Sequence, residues 1–435
     1  MKKTLSVALS IVMVALMWCI PVSASCPGES QVNNTLMSGE NNLHIDGNVA
    51  RYVAEFFVSD MIETGYASWD RETKVQNVVP MYDETGEIVN AYTIELDSGY
   101  VVVSAYIDMP SIILEWSDDE APCYKTSKIR SAIDSSNNRT KIIYLGALDY
   151  YIDNGSSVLE RVDGIKIERF NVSNGLEMLR DIDNIGKDTL FKISKMKESD
   201  LDCGKISPLD NSKEGDVITD VLKYAEIVYG RKWRGADYAN HWEKFKDGTI
   251  TESDVSNYSM ACAPIAITNI IKIFGNFYNS QSNRDVLPYT GKQIFDRIKD
   301  LKNGWGRKYY VNGSGTYVSD LIEYATVATD VFSAVDIGVS SNFKKLNWMN
   351  AIETCKSSCD LMLLSLYESD TQPYTQHIAV GYAYCRIYPV NSSTPAKTFL
   401  KLCDGFSSGN RFLELNLLKN SEYVTLSIPC ISSGG

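Results

Sequence analysis

The stretch Asn257–Gly275, N-Y-S-M-A-C-A-P-I-A-I-T-N-I-I-K-I-F-G, sets the strongest constraint on the fold. Pro264 suits a first helical turn, where its missing N–H costs nothing. Ile265, Ala266, Ile270, Ile271, Ile273 and Phe274 then make the helix apolar on most sides. Such a helix must be buried, so the rest of the chain has to wrap around it. Gly275 is the expected stop. Cys262 falls at the N-terminus of this helix, where unpaired backbone N–H groups and the helix dipole favour an anion. A thiol there is activated when a histidine cation is also near. On the local pattern alone, a small cysteine packing the helix start is the more economical reading.

The rest of the chain supplies partners. It holds only three histidines, His44, His241 and His377. A cysteine nucleophile needs a base, usually histidine. His377 opens the strand-like run H-I-A-V-G-Y-A-Y after a polar loop. The next apolar run, Phe399 to Cys403, ends in Asp404-Gly405-Phe406. If these runs are hairpin neighbours, Asp404 comes near His377, where a carboxylate fixes the imidazole tautomer and stabilises its cation. His44, ahead of the first helix, reads as a surface residue, and His241 sits in aromatic helical text.

Lys2 and Lys3 precede an apolar run, Leu5 to Ile20, followed by Pro21 and the small-residue site Val22-Ser23-Ala24. This is the pattern of a signal peptide over residues 1–24, which predicts a secreted, extracellular protein; Cys26 offers a minor lipoprotein alternative. No other run reaches the roughly 18 apolar residues of a membrane span. A formal net charge of −13 argues against nucleic-acid binding, which needs a basic stripe. Of ten cysteines, nine remain without Cys19; setting Cys262 aside leaves an even number that permits disulfides. Cys355 and Cys359 would share a helix face as packing or a bridge. They lack further ligands at short spacing, so no metal site is expected, and no cofactor is required.

From Asp46 a helix is expected, with Val49, Val53, Phe56, Phe57 and Met61 on one stripe and Gly65 as its stop. An antiparallel meander follows, turning at Asp83–Gly86 and Asp97–Gly99 and ending in a strand from Pro110 to Trp116. A short helix is expected around Ile142 to Tyr151. Lys197 to Gly215 lacks periodicity, so we place a linker at about 195–215 and divide the chain into residues 25–205 and 206–435. In the second part helical text (217–228, 318–329, 347–355) precedes strands at 361–367, 377–384, 399–403, 412–415 and 424–429, an α+β arrangement.

At this point a family resemblance is visible. Ala261-Cys262-Ala263-Pro264 with the helix through Asn269-Ile270, the segment His377-Ile-Ala-Val-Gly381-Tyr382 and the pair Gly405-Phe406 after Asp404 resemble the streptopain-like branch of papain-fold cysteine peptidases. Tyr92 to Ala105 and the strand Ile112 to Ser117 resemble the streptopain pro-segment, in the same order along the chain. The resemblance does not clearly cover residues 123–190. It implies a papain-like peptidase domain (206–435) behind a small α+β pro-domain (25–205). It implies a zymogen acting on protein or peptide substrates, with Cys262 as nucleophile, His377 as base and Asp404 as orienting acid. The pro-domain would be an intramolecular inhibitor or chaperone. Ala261 stands where the family has Gly, Phe406 where it has Trp, and the upstream oxyanion-hole Gln is missing. Asn257 is the candidate donor in its place, with Asn240 as an alternative. Two other readings stay open: a transpeptidase or amidase on the same fold, and a secreted binding protein with a relic papain-like domain.

Overall fold

The computed structural model describes residues 43–119, 121, 140–162, 166–169, 172, 176, 180, 229, 233–258, 261–282, 285–299, 321–366, 377–389, 396–406, 409–418 and 421–429. The expected signal peptide, the linker at 195–215 and the helix at 217–228 lie outside these residues. The described residues form one compact unit.

Helix α1 (Gly47–Thr64) begins where the Asp46 side chain accepts from Val49 N at 2.9 Å. It ends at Gly65, in the left-handed region at φ 64°. Its stripe of Val49, Val53, Phe57 and Met61 is buried against the meander β1 (Val75–Tyr82), β2 (Val89–Leu96), β3 (Tyr100–Ser104) and β4 (Ile113–Ser117). The strands pair in sequence, all antiparallel, with turns where expected.

The expected helix at 142–151 is instead a hairpin, β5 (Lys141–Gly146) and β6 (Asp149–Asp153). Ile142, Ile143, Tyr144, Tyr150 and Tyr151 are the β-branched and aromatic residues that suit a pleated surface. Leu148 makes the reversal at φ 58°, an unusual conformation for a branched residue that periodicity cannot reveal. β5 runs parallel to β1, and β7 (Val158–Arg161) and β8 (Lys166–Glu168) extend that edge.

Helix α2 (Cys262–Ser282) is the buried helix expected at 262, but it runs straight through Gly275. A Cβ at Gly275 would lie 3.1 Å from the Leu287 side chain, so the glycine serves close packing and not a stop. Around α2 pack α3 (Gly291–Lys299) and α4 (Leu321–Ser333), and α5 (Trp348–Lys356) follows with Asn347 as its N-cap. The strands are β9 (Trp233–Ala239), β10 (Ser340–Lys345), β11 (Asp360–Leu366), β12 (His377–Pro389), β13 (Lys397–Cys403), β14 (Arg411–Glu414) and β15 (Glu422–Ser427). Here β10 had no counterpart in the sequence reading, and Trp233–Ala239 is a strand beside β12.

All strands among the described residues belong to one mixed sheet, ordered β10-β15-β11-β12-β13-β14-β4-β3-β2-β1-β5-β6-β7-β8, with β9 on β12. The architecture is α+β. The two stretches that read as separate segments meet edge to edge: β14 pairs with β4, Phe412 opposite Trp116 and Leu413 opposite Glu115. The Trp116 and Phe412 rings stack across this join at 3.7 Å, within 3° of parallel. Among the described residues, no helix is long and apolar enough to cross a membrane.

Candidate active site

Cys262 is the first residue of α2, with Ile265 N donating to Ala261 O at 2.9 Å to close the first turn. Its side chain is 6% exposed. The sulfur therefore lies just below the surface at the positive end of a long helix.

His377 opens β12, between β11 (paired to Leu366) and β13 (Val380 opposite Cys403). The hairpin neighbourhood expected of the two runs is present. His377 Nε2 lies 2.6 Å from the main-chain oxygen of Asp404. A carbonyl only accepts, so Nε2 carries the hydrogen and donates it. This fixes the neutral tautomer and directs Nδ1 to the other side of the ring. Phe406 stacks on the imidazole at 4.4 Å between centroids and 19° between planes, so the ring is held in both position and tilt.

Asp404 thus reaches His377 through its backbone. Its carboxylate is committed differently from the sequence expectation. Oδ2 accepts from Arg411 Nε at 2.9 Å and Oδ1 from Phe406 N at 3.0 Å, with both side chains of the ion pair fully buried. The reason is local: Gly405, at φ 76°, folds the chain back so that the Asp404 side chain caps its own turn. The carboxylate then meets the arginine that opens the next strand.

This turn rests on the first turn of α2. A Cβ at Gly405 would lie 3.2 Å from Ile265 Cγ2, and Gly405 O accepts from Glu252 N at 2.7 Å. Asn269 braces the same region, its Oδ1 accepting from Ile250 N at 2.8 Å and its Nδ2 donating to Ile250 O at 3.0 Å. The helix start, the histidine strand and the Asp404–Phe406 turn are therefore tied together. Asn269 and Arg411 are the residues sequence reasoning passed over. An amide in the apolar first half of the helix was a usable signal, because a buried polar group must be hydrogen-bonded.

Asn257 lies exposed in the turn after the 3-10 helix Glu252–Val255. Asn240, the alternative, is exposed too, and its Oδ1 accepts from Lys401 Nζ at 3.5 Å. His241 packs against Trp242, Phe245 and Phe277 at 5.0, 5.6 and 5.9 Å, and burial with Lys244 holds its pKa down. Phe277 sits about 22 Å along α2 from Cys262 at 1.5 Å per residue, so His241 belongs to the far end of the helix. His44 is half-buried, not a surface residue; its Nε2 lies 2.8 Å from Val89 O.

Cys355, Cys385 and Cys403 are buried and in no disulfide, as is Cys262. Cys359 is in a disulfide whose partner lies outside the described residues. The bridge between Cys355 and Cys359 is not made, because α5 ends at Lys356 and Cys359 lies beyond its cap. Burial pushes the Cys355 and Cys403 thiols up, away from reactivity. Among the described residues no group of three or more His, Cys, Asp or Glu is placed to hold a metal ion. No known family model matches the chain, and a search of curated proteins finds no match.

Proposed function

We propose that the chain is a secreted cysteine endopeptidase made as a latent precursor, with Cys262 as nucleophile and His377 as base. The observation that carries this is the 2.6 Å bond from His377 Nε2 to the Asp404 carbonyl, on a turn packed against the first turn of the Cys262 helix. The neutral tautomer it selects puts a proton-accepting nitrogen, Nδ1, on the opposite edge of the ring. His377 takes the thiol proton, and the helix terminus stabilises the thiolate. The thiolate sulfur attacks a peptide carbonyl carbon. The imidazolium returns its proton to the leaving amine as the C–N bond breaks, and water, deprotonated by His377, releases the acyl group from sulfur. The N–H of Cys262 and the Asn257 side chain are the proposed donors to the oxyanion.

Asp404 enters this scheme as a carbonyl acceptor first and as the turn's anchor second. The 6% exposure of Cys262 supports latency, since a substrate carbonyl reaches the sulfur only after the site opens. Cleavage at 195–220 after signal removal is the proposed activation, and residues 25–205 are the proposed pro-domain. The test is hydrolysis of casein by the secreted protein, with N-terminal sequencing of the mature form. Cys262→Ala should abolish cleavage, and His377→Ala should reduce it by about 10³-fold or more, in the range expected for losing a proton-transfer group. Activity surviving Cys262→Ala rejects the assignment.

A further inference from the structure

We propose that Arg411 is a positioning residue for His377, and that residues 43–119 supply half of its socket through Tyr100 and Glu115. The mechanistic meaning of this rests on the reading of His377 as a base; the geometry does not.

Arg411 is fully buried at the start of β14 and binds the Asp404 carboxylate at 2.9 Å. Asp404 in turn offers its carbonyl to His377. Whatever sets Arg411 sets the turn, and the turn sets the imidazole. The guanidinium carbon lies over the ring of Tyr100, 5.2 Å from its centroid. The Tyr100 hydroxyl donates to Glu115, and the Tyr150 hydroxyl donates to the same carboxyl oxygen at 2.9 Å. Glu115 sits on β4 directly opposite Leu413. Two residues on, the Ser117 hydroxyl donates to the carbonyl of Asn410, the residue before Arg411. The strand that carries Arg411 is thus held at its backbone, its charge and its neighbouring ring by residues of the N-terminal stretch.

The charges make a placement role more reasonable than a stability role. Isolated buried ion pairs rarely stabilise more than apolar residues of the same shape would, because desolvation offsets the attraction. What such a pair does supply is a unique position. The groups facing Glu115 are Tyr100 from β3, Tyr150 from β6 and Arg411 from β14, with Asp404 behind Arg411. Burial drives the Glu115 carboxyl up to about 7, against the pull of Tyr100 and Arg411. A change at Glu115 therefore alters the field on Arg411 without touching the site itself.

The experiment is imidazole NMR on the full chain labelled with ¹⁵N-histidine. Three histidines give few signals, and His44 and His241 serve as internal controls. In the parent protein His377 should show the Nε2–H tautomer with a protected, slowly exchanging proton. Glu115→Gln removes the carboxyl's charge and leaves one oxygen to accept from Tyr100 and Tyr150. It should speed exchange of the His377 Nε2 proton about tenfold and move the imidazole titration by about half a pH unit or more, leaving the other two histidines unchanged. Arg411→Lys, which keeps the charge but loses the planar fork, should give a larger shift. If Glu115→Gln does not fold, Tyr100→Phe carries the same readout. A folded Glu115→Gln protein with unaltered His377 exchange and titration overturns the proposal. Iodoacetamide labelling of Cys262 after cleavage of the same proteins at 195–220 separates the two ideas: a moved His377 beside a Cys262 that stays inert in the cleaved protein supports the positioning role and rejects the peptidase reading.

Discussion

At the scale of single residues, chemistry is divided among groups that look alike in the sequence. Cys355 and Cys403 have thiols raised by burial, whereas Cys262 sits at a helix N-terminus. Brief iodoacetamide treatment of the native protein after site opening, followed by peptide mass mapping, should label Cys262 and leave Cys355 and Cys403 unmodified. Two carboxyls yield a pH prediction. Burial raises both Glu115 and Glu414 to about 7, opposed by Tyr100 and Arg411 for the first and by Lys397 for the second. A carboxyl that binds its proton more tightly when folded adds stability below its unfolded value. That stability is lost as the pH rises through the folded value. The unfolding free energy from urea titration should therefore fall between about pH 4.5 and pH 7, by roughly 1–3 kcal/mol per group, and Glu414→Gln should flatten its share of the slope. Arg411→Ala leaves a buried carboxylate without its cation and should cost about 3–5 kcal/mol in denaturant unfolding. His377 stood out in the sequence because only two other histidines compete with it. Arg411 was not, since a charged residue at the head of a strand ordinarily faces water.

At the scale of elements, the turn Asp404–Phe406 carries the most consequence. Its glycine takes a left-handed conformation and touches Ile265 of α2. Gly405→Ala should cost about 1–2 kcal/mol from the backbone conformation alone. On the proposed peptidase reading it should also lower kcat on casein more than it raises KM, because it displaces the carbonyl that holds His377. Helix α1 was readable to its caps, since Asp46 and Gly65 carry the local chemistry of helix ends. The hairpin at 141–153 was not, because its reversal relies on Leu148 in a conformation that tertiary packing imposes. Gly275 misled for a related reason: a glycine kept for close approach to Leu287 has the same spelling as a stop. The Asp404 carboxylate was misassigned because strand adjacency shows that two residues meet, not which of their atoms do so.

At the scale of the molecule, the α+β class could be read from the order of helical and strand text, but the single sheet could not. Both β4 and β14 look like ordinary apolar strands, and periodicity records faces, not neighbours. The β4–β14 join gives a prediction of its own. With a specific protease site inserted near 205 and cut, the two fragments should elute together in size-exclusion chromatography and separate only in denaturant, because the join stacks Trp116 on Phe412 and buries both strands. The same join governs how the molecule is made. Ser117 and Asn410, bonded across it, are 293 residues apart in sequence. At about 5–20 residues per second of synthesis, β4 waits roughly 15–60 s for its partner. During that interval a strand buried along its whole length in the finished protein presents an open, apolar edge, the kind of edge that recruits other chains. So non-local a pairing is intrinsically slow to close, and the β4 edge stays open until residues 411–414 are made.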